Sequence, residues 1–275
     1  MNGNEKEKHE GVQGSKVPVP SFWHVLWLMV RFFFSRSLGT SRILWLAGLW
    51  SIPVGLGAWW RFFEHGDARA FFMEISVNLL LQLFSLGLPL YLAVSAVRDE
   101  VEDRTITYMF VRPVRREVLL GSKIVSVALV VCAWLAAAAL ASYLVLAIGN
   151  ESNLADDLQL LVRHILVLWT AAVIYTGLFA MFGLVLARPL LLAAIFGLGW
   201  EITVSNLPGA FPRLTIMYYL KSLLDIGPVS RGVVSLLVPS IEPANTAFSL
   251  VVLTVLAAVL YTAAFVTAGH KEYRL

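Results

Sequence analysis

Six apolar runs alternate with short polar segments, near residues 43–60, 72–97, 124–148, 164–187, 190–204 and 246–268. A helix needs roughly 20 predominantly apolar residues to cross a bilayer. The run at 190–204 falls short of this. The pattern predicts an all-α membrane protein with six transmembrane helices in one membrane domain over 21–275, after a disordered cytoplasmic tail over 1–20. The tail is polar and contains Pro18 and Pro20, and it lacks the basic start, apolar core and cleavage site of a signal peptide.

Before the first run, Phe22–Leu38 is hydrophobic but interrupted by His24, Arg31, Ser35 and Arg36. His24, Arg31 and Ser35 fall on one helical face. A narrow polar stripe on an apolar helix predicts an interfacial helix over 22–38. The second run carries Glu74, Asn78 and Gln82 at i, i+4 and i+8, which places them on one face. Polar groups in a bilayer face the bundle interior, a partner or water. The stripe is therefore either glue between helices or the lining of a pathway. Pro89 is expected to bend this helix.

The third run has no charge and contains Ala136-Ala-Ala-Ala139, which predicts close helix packing. Arg188-Pro189 forms a tight turn between the fourth and fifth runs. The fifth run reaches Glu201 and breaks at Ser205-Asn-Leu-Pro-Gly209. Leu214–Ile226 then reads as a short amphipathic helix, with Thr215 near its start and Gly227-Pro228 beyond its end. The stretch between runs five and six is too apolar for a free loop. It predicts a re-entrant or outer helical segment, with Glu201, Pro208, Gly209 and Pro212 as a candidate outer gate.

Composition sharpens this picture. The chain is 59% hydrophobic and 14% charged, with mean hydropathy +0.77. Lys and Arg divide fifteen to six between alternate segments. The richer set comprises 1–42, 98–123, Arg188 and the C-terminal tail. Positive residues mark cytoplasmic loops, so both termini and the 98–123 segment are expected on the cytoplasmic side. The lone Cys132 excludes an intramolecular disulfide and reads as packing.

The chain contains no Gly-x-x-x-x-Gly-Lys-Ser/Thr phosphate cradle, no His-Glu-x-x-His and no Gly-x-Ser-x-Gly. The five histidines lie in tails or at run ends, and neither a metal site nor a catalytic constellation is expected. Nucleic-acid binding has no support either: the basic balance, with pI near 9.1, suits anionic lipid. The densest polar feature is a hairpin, Arg98-Asp-Glu-Val-Glu-Asp-Arg104 followed by Val111-Arg-Pro-Val-Arg-Arg-Glu117. From the residues alone it is a solvated loop or a docking surface.

Residues Tyr91 to Lys123 resemble the signature of ABC-2 type permeases. Asp99, Glu100 and Glu102 match an acidic cluster, Thr105 and Ile106 the element after it, and Arg112, Pro113, Val114 and Arg116 a basic turn. Gly121 matches the start of the next span, with the family's following Lys displaced to Lys123. Trp200-Glu-Ile-Thr-Val-Ser-Asn-Leu-Pro-Gly209 and Leu214-Thr-Ile-Met-Tyr-Tyr-Leu220 are similar to the broken segment after the fifth span in bacterial members.

The resemblance implies a bacterial plasma-membrane permease, an exporter, in which two such chains pair as homodimer or paralogues and carry separate ATPase subunits. ATP and Mg would be bound by those subunits, so this chain would not itself be an enzyme. Asp99, Glu100, Glu102, Thr105, Phe110, Arg112, Pro113 and Arg116 would form the helix that couples to the ATPase. The alternative class is a non-transporting membrane scaffold or regulator. Neither reading names the cargo.

The charge split makes the topology measurable. With Cys132 replaced, a cysteine at Ser15 or Tyr273 should resist impermeant thiol reagents in intact cells, whereas one at Ser152 or Ser230 should react. Labelling of the 98–117 hairpin from outside would reverse the assigned orientation.

Overall fold

The computed structural model describes residues 21, 23, 24, 27, 28, 30, 31, 40–63, 67–102, 116–147, 154–186, 188–207, 210–225 and 243–270. Side chains are described for these except at 40–46, 98–102, 116–119, 154–157 and 268–270. The described residues form helices, turns and bends, with no strand among them.

Helix α1 spans Thr40–Phe63. Helix α2 has three consecutive stretches: α-helical Ala68–Glu74, π-helical Ile75–Phe84 and α-helical Ser85–Glu102. Helix α3 is Arg116–Ala147 and α4 is Leu154–Val185. Helix α5 is again composite, with α-helical Pro189–Ala194, π-helical Ile195–Ile202 and a last α-helical turn, Thr203–Ser205. A 3-10 turn, Phe211–Leu214, leads into α6, Ile216–Ser222. Helix α7 is Thr246–His270.

Four stretches are long and apolar enough to cross a membrane: Ala68–Val97, Leu120–Ala147, Leu158–Val185 and Thr246–Thr267. They lie in α2, α3, α4 and α7. Helix α1, with 24 residues, packs against α3 beside them. Helix α5 is the short one predicted by the pattern. Its apolar helix covers Pro189–Ser205, about 25 Å at 1.5 Å per residue, against a hydrocarbon core of about 30 Å. By length it falls short of a full crossing. The predicted interfacial helix over 22–38 falls mostly outside the described residues, although Trp23, His24, Trp27, Leu28, Val30 and Arg31 have helical backbone.

The core sits on α4, which packs against α2, α3, α5 and α7. Its Tyr175 and Phe179 are fully buried and stack with ring centroids 6.1 Å apart. Small residues permit this closeness. Ala138 and Ala139 of the predicted alanine run have no exposure. Trp169 of α4 donates its indole N–H to the Cys132 carbonyl of α3 at 3.0 Å, so Cys132 belongs to this seam. In α2 the π stretch ends one turn before Pro89, which sits inside the following α stretch. Proline removes a backbone donor there. The buried Ser85 hydroxyl donates to the Leu81 carbonyl at the junction between the two windings.

Glycine is required where helices meet most closely. A Cβ on Gly177 would stand 2.8 Å from Cε2 of Tyr261, and one on Gly121 would stand 2.7 Å from Cε2 of Phe265. The two neighbours differ in freedom. Tyr261 is anchored by its hydroxyl, which donates to the Val173 carbonyl at 3.2 Å, whereas Phe265 is 40% exposed. Gly177→Ala should therefore cost about 1–3 kcal/mol of stability in detergent, and Gly121→Ala less. Thermal unfolding of the two variants side by side checks this. Equal losses would mean that Tyr261 yields as freely as Phe265.

Candidate functional site

The end of α5 and the start of α6 meet inside the bundle, where water is scarce. A helix start leaves backbone N–H groups without partners. Here each of the first three is met by a side chain. The Glu201 carboxylate accepts from Ile216 N–H at 3.2 Å through Oε1 and from Met217 N–H at 3.0 Å through Oε2. Thr215, the predicted helix start, has extended backbone and accepts from Tyr218 N–H at 3.2 Å. Its own hydroxyl donates to the Pro212 carbonyl at 2.7 Å. The Tyr175 hydroxyl of α4 adds a third bond to Glu201, donating to Oε2 at 3.0 Å. Glu201 is 1% exposed and has three donors around it.

A second set of polar groups lies beside this one. Lys221, on α6 and 6% exposed, donates to Oδ1 of Asn206 at 3.0 Å. Gln82, from the π stretch of α2, donates to the same oxygen at 3.5 Å. The Asn206 amide donates back to the Ile202 carbonyl at 2.6 Å and so closes the end of α5.

The far end of α6 is fixed separately. Asp225 takes the left-handed backbone, φ 56°, that ends a helix. Arg163 of α4 pairs with the Asp225 carboxylate and donates through Nε to the Leu223 carbonyl at 2.9 Å. Ser222 accepts from Ala244 N–H at 3.1 Å, tying α6 to the chain leading into α7.

The expected residues divide accordingly. Glu201 and Gln82 converge on the α5–α6 junction, and buried Pro212 supports its cap. Glu74 and Asn78 are exposed on the surface of the single chain, while Gln82 is half-buried. Pro208 and Gly209 lie outside the described residues. So do Thr105, Phe110, Arg112 and Pro113 of the expected coupling set. The helical backbone at Asp99, Glu100, Glu102 and Arg116 is described, but not their side chains. Tyr175, Asn206, Lys221 and Arg163 were not anticipated. An isolated Lys within an apolar helix was the available signal for Lys221.

The profile of the ABC-2 family transporter proteins matches residues 38–205, from α1 to the end of α5. The chain belongs to this family. It is therefore a multi-pass membrane permease of a transporter. No curated protein matches the permease. The family match includes Gln82, Tyr175 and Glu201, whereas Lys221 and α6 lie beyond it.

The geometry ranks substitutions at the junction of this permease. Tyr175→Phe removes one of three donors and leaves Glu201 with both amides, so it should cost about 1 kcal/mol. Glu201→Gln sets an amide N–H against a backbone N–H, and Glu201→Leu leaves both amides bare. Each bare buried amide costs about 1–3 kcal/mol. Unfolding in detergent should follow the order Tyr175→Phe, Glu201→Gln, Glu201→Leu. If Glu201→Leu is as stable as the parent, Glu201 does not hold α6.

Proposed function

We propose that this permease forms the membrane part of an ATP-driven exporter in the bacterial plasma membrane, with two permease chains carrying two ATPase subunits. The ATPase subunits bind ATP and Mg on the cytoplasmic side, as the family generally works with an ABC ATPase. The hairpin at 98–117 docks in the ATPase, and the movement that follows ATP binding passes through it into α2 and α3. Both termini are cytoplasmic, and the α5–α6 junction lies toward the outer face as the gate.

One observation carries this reading. The acidic half of the hairpin (Asp99, Glu100, Glu102 and Asp103) and the basic half (Arg112, Arg115 and Arg116) enclose Ile106, Tyr108, Met109 and Phe110. A solvated loop has little use for Met and aromatic residues between charges. Interfaces are enriched in them, with charges at the rim.

Truncating an anchoring aromatic at an interface centre costs about 2 kcal/mol or more, and a rim charge costs less. Phe110→Ala should therefore weaken pull-down of the ATPase and substrate-stimulated ATP hydrolysis more than Arg115→Ala does, with both variants still inserted. If Phe110→Ala binds and stimulates like the parent, the hairpin is not the coupling element.

A further inference from the structure

The outward side of α2 differs from that of the other crossing helices. Between Phe72 and Val97, α2 exposes Glu74, Asn78, Leu83, Gly87 and Tyr91, and the remaining residues are buried or half-buried. The spacings are four, five, four and four, so these residues form one narrow stripe whose step widens within the π stretch. Leu83 is its only aliphatic member. The crossing stretch of α3 instead exposes Leu129, Ala133, Ala137, Leu140 and Leu144. That of α7 exposes Leu250, Val255, Val259 and Val266, and its exposed Thr254 and Thr262 donate to carbonyls of their own helix at 2.7 Å. Those surfaces suit hydrocarbon chains; the stripe on α2 does not.

Two residues of the stripe point to protein as its cover. Asn78 lies ten residues inside the Ala68–Val97 stretch and is exposed. Its carboxamide has two N–H donors and an acceptor, which hydrocarbon leaves unsatisfied. Polar side chains so placed face protein or water. Gly87 points the same way on different grounds. Gly121 and Gly177 are needed because Phe265 and Tyr261 press against them, whereas a Cβ on Gly87 would meet nothing within 4 Å. Glycine inside a helix costs stability relative to alanine, and packing among the described residues does not require it here. In membrane helices small residues occur where another helix comes close.

Both residues are self-complementary. A carboxamide donates and accepts, so it pairs with another carboxamide, and two glycines allow the closest approach of two helices. A two-fold axis brings identical residues together in this way. We propose that a second copy of this chain covers the stripe, α2 against α2, with Asn78 paired to its counterpart and the backbones in close approach at Gly87. Glu74, nearer the start of the helix, lies at the rim of this contact. The assignment rests on the reading that two permease chains pair, and adds the surface that they share.

The test uses the full chain in native membranes with Cys132 replaced by alanine. Single cysteines at Asn78, Gly87, Leu140 and Val255 are oxidised with copper phenanthroline. A disulfide needs Cα atoms within about 7 Å. Asn78→Cys and Gly87→Cys should give covalent pairs severalfold more efficiently than Leu140→Cys and Val255→Cys. A second arm counts chains by single-molecule photobleaching in liposomes. Gly87 is exposed with open space beyond it, so Gly87→Leu should leave the single chain folded and lower pairing about tenfold. Asn78→Leu should lower pairing severalfold, and Asn78→Gln should retain more of it. Pairs that cross-link through Leu140→Cys or Val255→Cys instead, or that survive both leucine substitutions undiminished, overturn this assignment and leave the two-chain reading standing. A parent chain that stays single in liposomes overturns the pairing of identical chains altogether.

Discussion

Helix α5 is too short to cross a bilayer by itself, and the rest of this end of the molecule depends on how its end is satisfied. A backbone N–H or carbonyl without a partner costs several kcal/mol in hydrocarbon. A helix that ends there and another that begins there expose several such groups at once. The chain answers with side chains at defined positions. Asn206 takes the Ile202 carbonyl, Glu201 takes the amides of Ile216 and Met217, and Thr215 takes the amide of Tyr218. Glu201 fixes the start of α6, and Arg163 and Ser222 fix its far end. At seven residues it is too short to be stable by itself.

The same bonds make α6 a junction between spans. Through Glu201 it is joined to Tyr175 of α4, through Asn206 to Gln82 of α2, through Leu223 and Asp225 to Arg163 of α4, and through Ser222 to the lead-in of α7. The Glu201 links are buried, whereas the Gln82–Asn206 and Arg163–Asp225 links lie at the surface. A shift of α5 along its axis must therefore either carry α6 with it or break the buried Glu201 bonds. Both α2 and α5 contain a π-helical stretch at this level, Ile75–Phe84 and Ile195–Ile202. Such stretches are frequent at functional sites and relax by small changes in winding. The junction thus couples a polar, tightly bonded centre to the two helices best able to rewind.

Much of this was legible from the residues, and the failures have physical causes. Run length and mean hydropathy marked six spans; among the described residues four helices are long and apolar enough to cross a membrane, and α5 is short as its run predicts. Thr215 announced the start of α6 because a hydroxyl before an apolar turn is the ordinary answer to bare amides. Glu201 stood out as a carboxyl group inside an apolar run. Its partner Tyr175 did not, because a tyrosine among apolar residues reads as packing until a neighbour is known. The stripe of Glu74, Asn78 and Gln82 assumed α-helical winding. The π stretch changes the relation between residues four apart, and Gln82 turns toward Asn206 while Glu74 and Asn78 stay at the surface. Periodicity says nothing about the facing of α7, which is apolar all round.

Glu201 and Lys221 are two buried ionic groups at one spot, and they are held differently. A buried charge with a full set of partners is a fastener: its bonds exist in every state in which the fold exists, and any ligand would have to break them. Lys221, by contrast, has one hydrogen-bond acceptor among the described residues, Oδ1 of Asn206. The enclosure of Lys221 is imposed by α6, whose position Glu201 fixes. The carboxylate therefore does more than cap a helix. By anchoring α6 it holds Lys221 within reach of Asn206, beside the helices α2 and α5 that change their winding.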